Sequence, residues 1–254
     1  MQKTRQRRPL GNPIGAIVFL LAVTTFAAVN AEEPQTTETP TGSEASQDAG
    51  TVQGTVYYHP DPKRKWRYQR FYVKNSKVGQ LAEAVVVLTP EKRSREKSTH
   101  KPQTVTVDQK NFQFTPETTA IQAGDRVKFL NSDNQVHNVR SYHPFRSFNV
   151  SMPAGKEHVE TFAKAGRIKR PYQIGCVYHS SMRAWIYVFD HPNFQVTKTD
   201  GQFELKNVPP GKYKLEMVHP AGELQWSQEI EVNAGKTETV DINVSPDDVN
   251  KKDS

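Results

Sequence analysis

Four side chains in this sequence combine into a chemistry that none of them has alone. Cys176, His179 and Met182 form Cys-x-x-His-x-x-Met, and His137 stands upstream in Asn131-Ser-Asp-Asn-Gln-Val-His137-Asn. Cys176 is the only cysteine of the chain. Thiolate and thioether are soft donors that suit Cu(I), and imidazole suits Cu(II). A mixed set can hold both oxidation states in one geometry, so one electron can come and go with little rearrangement. The expected cofactor is one mononuclear copper ion, with His137, Cys176 and His179 as strong ligands and Met182 as the weak axial one. Each residue has a plainer reading when taken singly: a small buried hydrophobe, a core filler, a structural histidine. Three such donors between residues 176 and 182 are far less ordinary. Zinc tolerates one Cys and two His, but only water would complete its usual set of four. Ser180 and Ser181 lack any nucleophile-elbow motif, so Ser/His/Asp chemistry is set aside. No second histidine cluster has ligand spacing, and the chain is expected not to be an enzyme.

The elements around these residues must bring a distant histidine to a local loop. Arg170 to Gly175 reads as a strand that delivers Cys176 at its end, and Ala184 to Asp190 reads as the next strand. The loop between them supplies three donors, and His137, at the start of another strand, supplies the fourth. Such a site forms only when the domain folds. Short β-branched or aromatic runs elsewhere (Thr104–Val107, Thr118–Ile121, Arg126–Asn131, Val136–Tyr142, His158–Phe162) are punctuated by Gly124-Asp125, Pro153-Ala-Gly155 and Ala165-Gly166. Tyr213, Leu215 and Met217 alternate with charged residues, as do Val240, Ile242 and Val244 with polar ones. A period of two marks strands with one buried face. No long amphipathic helix is present in the pattern, and the class is all-β.

Residues 104–190 resemble a cupredoxin, the small blue-copper fold. Its pattern of an early His followed by Cys, His and Met on a late loop falls on His137, Cys176, His179 and Met182. In that family an Asn after the first His ties the two ligand loops together, and Asn138 matches it. Phe129-Leu-Asn131-Ser-Asp133 and Ser151-Met-Pro153-Ala-Gly155 are also similar to the family. Plastocyanin-like members usually leave a longer gap between the second His and Met. His-x-x-Met occurs in the dinuclear copper domain of cytochrome oxidase, which needs two cysteines, so a dinuclear centre is excluded. The short loop leaves the Met182 bond open: tight, long or absent. The resemblance implies a Greek-key sandwich that transfers single electrons between redox partner proteins. His179, on the loop nearest solvent, is the expected edge for electron entry and exit.

The flanks look like two halves of a second small sandwich. Val52-x-Gly54-x-Val56 and Ala84-Val-Val-Val-Leu88 precede the copper region. Asp200-Gly201…Phe203…Leu205 and Pro209-Pro-Gly211-Lys-Tyr213 follow it. In this order they resemble the carboxypeptidase regulatory-like family, grouped with carbohydrate-binding-like folds, and the whole resembles bacterial exported proteins of plastocyanin-like or methylamine-utilisation type. The implied organisation is 51–95 and 193–245 as two halves, with the cupredoxin over 101–192 inserted between them. Carbohydrate binding through Trp66, Tyr68, Tyr72 or Trp226 is one reading of this sandwich. A scaffold is the other, and is favoured because fold does not imply function. Trp185 and Tyr187 are expected to fill the core of the last cupredoxin strand.

The N-terminus reads as an export signal. Lys3, Arg5, Arg7 and Arg8 precede an apolar run from Ile14, and Val29-Asn-Ala31 offers a cleavage site. The run is shorter than the roughly 20 residues a spanning helix needs, so cleavage at 31 is expected, leaving no integral membrane segment. A retained signal anchor is the alternative. Residues 1–31 carry four basic and no acidic residues, so the net charge of +7 falls to +3 on cleavage, 30 Lys and Arg against 27 Asp and Glu. That small excess does not point to nucleic acid. Lys63-Arg-Lys-Trp-Arg67 with Arg70 is a local basic patch, a solvated face or a dock for an acidic partner or membrane surface. Residues 32–50 read as a disordered linker and 246–254 as a tail. The expected location is periplasmic or extracellular. Copper storage or delivery, and a carbohydrate-binding or matrix role with a non-redox metal site, are the functional alternatives.

Overall fold

The computed structural model describes residues 48–59, 73, 78–92 and 99–245. The expected leader 1–31, the linker up to residue 47, the basic patch with Trp66, Tyr68 and Tyr72, and the tail 246–254 lie outside the described residues. Among the described residues there are seventeen strands: β1 (Gly50–Tyr58), β2 (Val85–Pro90), β3 (Thr104–Lys110), β4 (Gln113–Thr115), β5 (Thr118–Gln122), β6 (Arg126–Asn131), β7 (His137–His143), β8 (Arg146–Met152) and β9 (Glu157–Thr161). Then come β10 (Tyr172–Gly175), β11 (Arg183–Phe189), β12 (Phe194–Val196), β13 (Gln202–Val208), β14 (Gly211–His219), β15 (Leu224–Val232), β16 (Thr237–Thr239) and β17 (Ile242–Val244). β1 begins at Gly50, the last residue of the expected linker.

The strands sort into two sandwiches. In the first, the β13-β1-β16 sheet, with β17 also paired to β1, faces the β12-β2-β14-β15 sheet. The core of this sandwich runs from Val52 and Val56 of β1 to Leu215 and Met217 of β14. In the second, the β4-β3-β6-β9 sheet faces the β5-β11-β10-β7-β8 sheet, around Val107, Phe129, Val139, Ile174 and Ile186. β3 to β11 all lie between β2 and β12 in the chain, so the second sandwich is an insertion in the first. The chain is all-β.

Gly54 shows why one sequence position must be bare. β1 pairs in parallel with β16 through Thr51–Gln53 and with β17 through Val56–Tyr58. Between the two partners the returning chain crosses close to β1. A Cβ on Gly54 would lie 1.9 Å from the Val240 carbonyl oxygen. Any side chain there would force the strands apart.

Two apolar runs decide how the sandwiches meet. Val85-Val-Val-Leu88 and Ala184-Trp-Ile-Tyr-Val-Phe189 are buried at every position. A strand with one wet face would alternate, so both faces of these strands must be covered. Val86 and Leu88 face the first core, and Ala184, Ile186 and Val188 face the second. Their neighbours Val85, Val87, Trp185, Tyr187 and Phe189 form a third cluster with Ile168, a seam between the sandwiches. Trp185 and Tyr187 therefore do not fill the core of their own sandwich, as their strand position suggested. They point outward, onto β2.

Glu83 ties the seam at its edge. Its amide donates to the Thr197 carbonyl of the first sandwich at 2.9 Å. Its carboxylate accepts the Thr118 amide of the second at 2.7 Å. Burial raises the Glu83 carboxyl above its ordinary range, against the lowering effect of the bonds from Thr118.

His219, at the end of β14, is fully buried. Burial lowers its pKa from 6.5 to about 4, against hydrogen bonds to the backbone of Ala82 and His219 that favour the charged ring. The unfolded chain then takes up a proton at a pH where the folded one does not. Stability is full above pH 6.5 and is lost progressively as pH falls toward 4. Urea melts at neutral pH and near pH 4 are expected to differ by up to about 3 kcal/mol from this group. His219→Leu is expected to remove that part of the pH dependence. An unchanged slope in the variant would assign the acid sensitivity elsewhere.

Candidate metal centre

His137 is delivered by a loop that organises itself. β6 ends at Asn131, which is buried, and its side chain replaces the lost strand pairing. The Asn131 amide nitrogen donates to the carbonyls of Gln135 (2.8 Å) and Met152 (2.7 Å). Its oxygen accepts the Asp133 amide at 3.0 Å. The short loop is thereby fixed on both sides, and β7 starts at His137, opposite Met152 of β8. His137 is fully buried.

The other donors come from the β10–β11 connection. These strands pair up to Gly175 opposite Arg183, so residues 176–182 must close between them. The Cys176 amide donates to the Met182 carbonyl at 3.3 Å, and the Met182 amide to the His179 carbonyl at 3.0 Å. These bonds fold the loop back on itself. Cys176 and Met182 are buried in the second core, and His179 is half-buried. No cysteine partner exists, and Cys176 is a free thiol.

One donor atom from each of His137, Cys176 and His179 lies within 4.8 Å of the others. Nδ1 of His137 is 3.1 Å from Nδ1 of His179, and Cys176 Sγ is 3.7 Å from that same His179 nitrogen. Two imidazole nitrogens and one thiolate on a single tetrahedral ion would stand about 3.3 and 3.6 Å apart, from metal–nitrogen bonds near 2.0 Å and metal–sulfur bonds near 2.3 Å. The observed spacings fit that requirement. The structure brings His137, Cys176 and His179 to one point, and Met182 into the adjoining core.

The proton positions fit as well. Nε2 of His137 is 2.8 Å from Asp133 Oδ2. Burial would raise the Asp133 carboxyl, but the amides of Phe112 and Asn111 and the His137 ring outweigh it and hold the carboxyl below its ordinary range. An ionised carboxylate only accepts, so Nε2 carries the proton toward Asp133, and Nδ1 is the nitrogen left facing Cys176 and His179 as a metal donor. A carboxylate behind a ligating imidazole fixes its tautomer and raises its basicity. Asp133→Asn is expected to weaken metal binding by about 10- to 100-fold with the fold retained. Competition titration against a chelator checks this, and unchanged affinity would show that the bond is only structural.

Asn138 differs from what the resemblance implied. Its side-chain nitrogen donates to Asn149 Oδ1 (2.6 Å) and the Val150 carbonyl (3.0 Å), both on β8, not to the Cys176 loop. Its Oδ1 is buried without a hydrogen-bond partner. His143 stacks on Tyr172 with centroids 3.9 Å apart and takes no part in the cluster. Two residues at the site were given no role from sequence, Asp133 and Phe112. The Phe112 ring meets the rings of His179 and His137 edge-on, with centroids 5.0 and 5.5 Å away. The Phe112 ring thus covers part of His179, which is half-buried. A carboxylate four residues before a candidate ligand was a readable signal for Asp133. Nothing local pointed to Phe112.

Residues 190–245, which include β12 to β17, match the family model described as BOS complex subunit NOMO1-like, second beta sandwich domain. No curated protein matches the chain. Similar solved structures include amicyanin from Paracoccus versutus, 20% identical over 41% of this chain and 97% of that one, with a TM-score of 0.31. A purple cupredoxin from Nitrosopumilus maritimus is 18% identical over 33% of this chain and 98% of that one, with a TM-score of 0.29. A copper-containing nitrite reductase from Thermus scotoductus is 23% identical over 41% of this chain and 26% of that one, with a TM-score of 0.32. Strand pairing gives the chain a β-sandwich that carries a His-Cys-His cluster and is inserted in a second β-sandwich.

Proposed function

We propose that this protein binds one copper ion through His137, Cys176 and His179, with Met182 as a weak axial donor, and carries single electrons between partner proteins. The observation that carries this reading is the convergence of a buried thiol and two Nδ1 atoms, with the far nitrogen of one ring, Nε2 of His137, held by Asp133. When bound, the copper supplies a one-electron couple whose two states share this donor set. The chain's residues hold the donors in place and keep water away: Cys176 and His137 are buried, and the loop bonds of Cys176 and Met182 resist rearrangement. Little movement of the donors means little energy lost in each transfer.

The surface around the site suits brief contact with a redox partner. Val136 (50% exposed), Val177 (43%) and Tyr178 (58%) flank the donors and leave apolar surface open. Apolar surface of this kind marks contact sites. The role is that of a carrier, not an enzyme, in an exported protein of the periplasm or cell surface. The first sandwich serves as scaffold. Trp226 packs against its core, which leaves less of that ring for stacking on a sugar.

The test is the visible spectrum of the purified protein with Cu(II), before and after dithionite. An intense thiolate-to-copper band that bleaches and returns in air is expected. A colourless protein that still binds metal would sink electron transfer and bring storage, delivery or zinc forward.

A further inference from the structure

The β3–β4 turn places a residue where its backbone is least at ease. Lys110 pairs with Gln113, so Asn111 and Phe112 form a two-residue hairpin turn. Their φ angles are +55° and +58°. A turn with both central residues left-handed favours Asn-Gly. Asn111 fits that preference, whereas Phe112 stands where glycine would be free of strain, and a bulky residue there is an outlier. Core burial does not explain it, because Phe112 is 46% exposed. What its ring touches is the pair of candidate ligands, His179 and His137.

The turn is also held by the carboxylate that orients His137. Asp133 Oδ1 accepts the Asn111 amide at 2.7 Å, and Oδ2 accepts the Phe112 amide at 2.9 Å. Turn, carboxylate and both imidazoles thus form one connected unit. Local strain is retained where the surrounding structure over-determines it, and such places have a use.

We propose that Phe112 is a positioning residue that closes the metal centre, its ring edge locking the two imidazoles and barring outside ligands from the donors. The proposal rests on the copper reading for its metal-bound arm only. Phe112→Gly separates closure from folding, because glycine suits the left-handed turn. The metal-free variant is expected to melt no lower than the parent. In the metal-free parent, the imidazole nitrogen signals of His137 and His179 are expected to be single and sharp by NMR. In the variant they are expected to broaden by exchange. With Cu(II), azide is expected to leave the parent spectrum unchanged and to shift that of the variant. Copper loss to EDTA is expected to quicken about tenfold or more, since two aromatic contacts are removed. A folded Phe112→Gly protein with sharp imidazole signals, or with parental azide resistance and copper loss, would overturn the proposal. A parent that forms no copper band would defeat the copper reading instead, and the metal-free spectra would still decide whether Phe112 locks the rings.

Discussion

Cys176→Ser is expected to fold, and to lose the intense thiolate-to-copper band completely. Cys176 is 3% exposed, and serine is slightly smaller, so the core can accept it. Serine's hydroxyl stays protonated near neutral pH and supplies no soft charge-transfer donor. Two separate effects on stability follow. Without metal, the buried hydroxyl costs about 1–3 kcal/mol unless it finds a hydrogen-bond partner. With metal, the parent gains stability from binding to the folded state alone, about 3–4 kcal/mol when copper is at 100 to 1,000 times its dissociation constant. Most of that gain is expected to vanish in the variant. Absorption and thermal melts, each with and without Cu(II), separate the two effects. A variant that keeps the band would place the copper elsewhere in the chain.

The second large effect lies on the outer face of β11, opposite the core that holds Cys176 and Met182. Trp185→Ala is expected to cost about 3–5 kcal/mol, the range for removing a large buried aromatic. Trp185 sits in the seam with Tyr187 and Phe189, against Val85 and Val87 of β2. Each sandwich also has its own core, so loss of the seam need not unfold either one. Calorimetry is expected to show one transition in the parent and two in Trp185→Ala, as the sandwiches cease to melt together. The copper band of the folded variant is expected to persist, because the opposite face of β11 keeps Ala184, Ile186 and Val188 in the core beside Cys176. A single transition at a lower temperature would show that each sandwich depends on the other to fold.

Both results bear on how the site is supported. The donors sit on two connections, β6–β7 and β10–β11, and the strands at their roots share one sheet at Gly175 and Arg140. β11 pairs with β10 on one side and β5 on the other, and its outer face rests on the first sandwich. The ligand loop is thus rooted in a strand covered on both faces. That placement gives the insertion a mechanical sense. The first sandwich covers the outer face of the strand that follows the Cys176 loop.

Much of this was legible in the sequence because it is written in local spacing. Cys176, His179 and Met182 fall within one tight connection, and a loop that short cannot send its donors far apart. Alternation at Tyr213, Leu215 and Met217 revealed a half-buried strand, and these residues do line the first core. The uninterrupted apolar run Ala84–Leu88 marked a segment of the flanking sandwich, and the structure covers both of its faces.

Phe112, and its link to Asp133, were out of reach for a physical reason. β3 and β6 run parallel, with Gln109 beside Asn131. Parallel strands emit their next residues at the same end of the sheet, so the turn at 111–112 meets the loop at 132–136. No local pattern encodes that pairing. Trp185 and Tyr187 show the same limit: their burial was readable, but which body buries them depends on how two sandwiches stack. The sequence by itself determined the donor types, their spacing and the β character, because these follow from side-chain chemistry and a period of two. Only the tertiary structure decided how the Asp133 carboxylate is shared between the His137 ring and the 111–112 turn, which ring covers the donors and which strand backs the Cys176 loop, because the turn, the ring and the backing strand meet the site only after the sheets have paired.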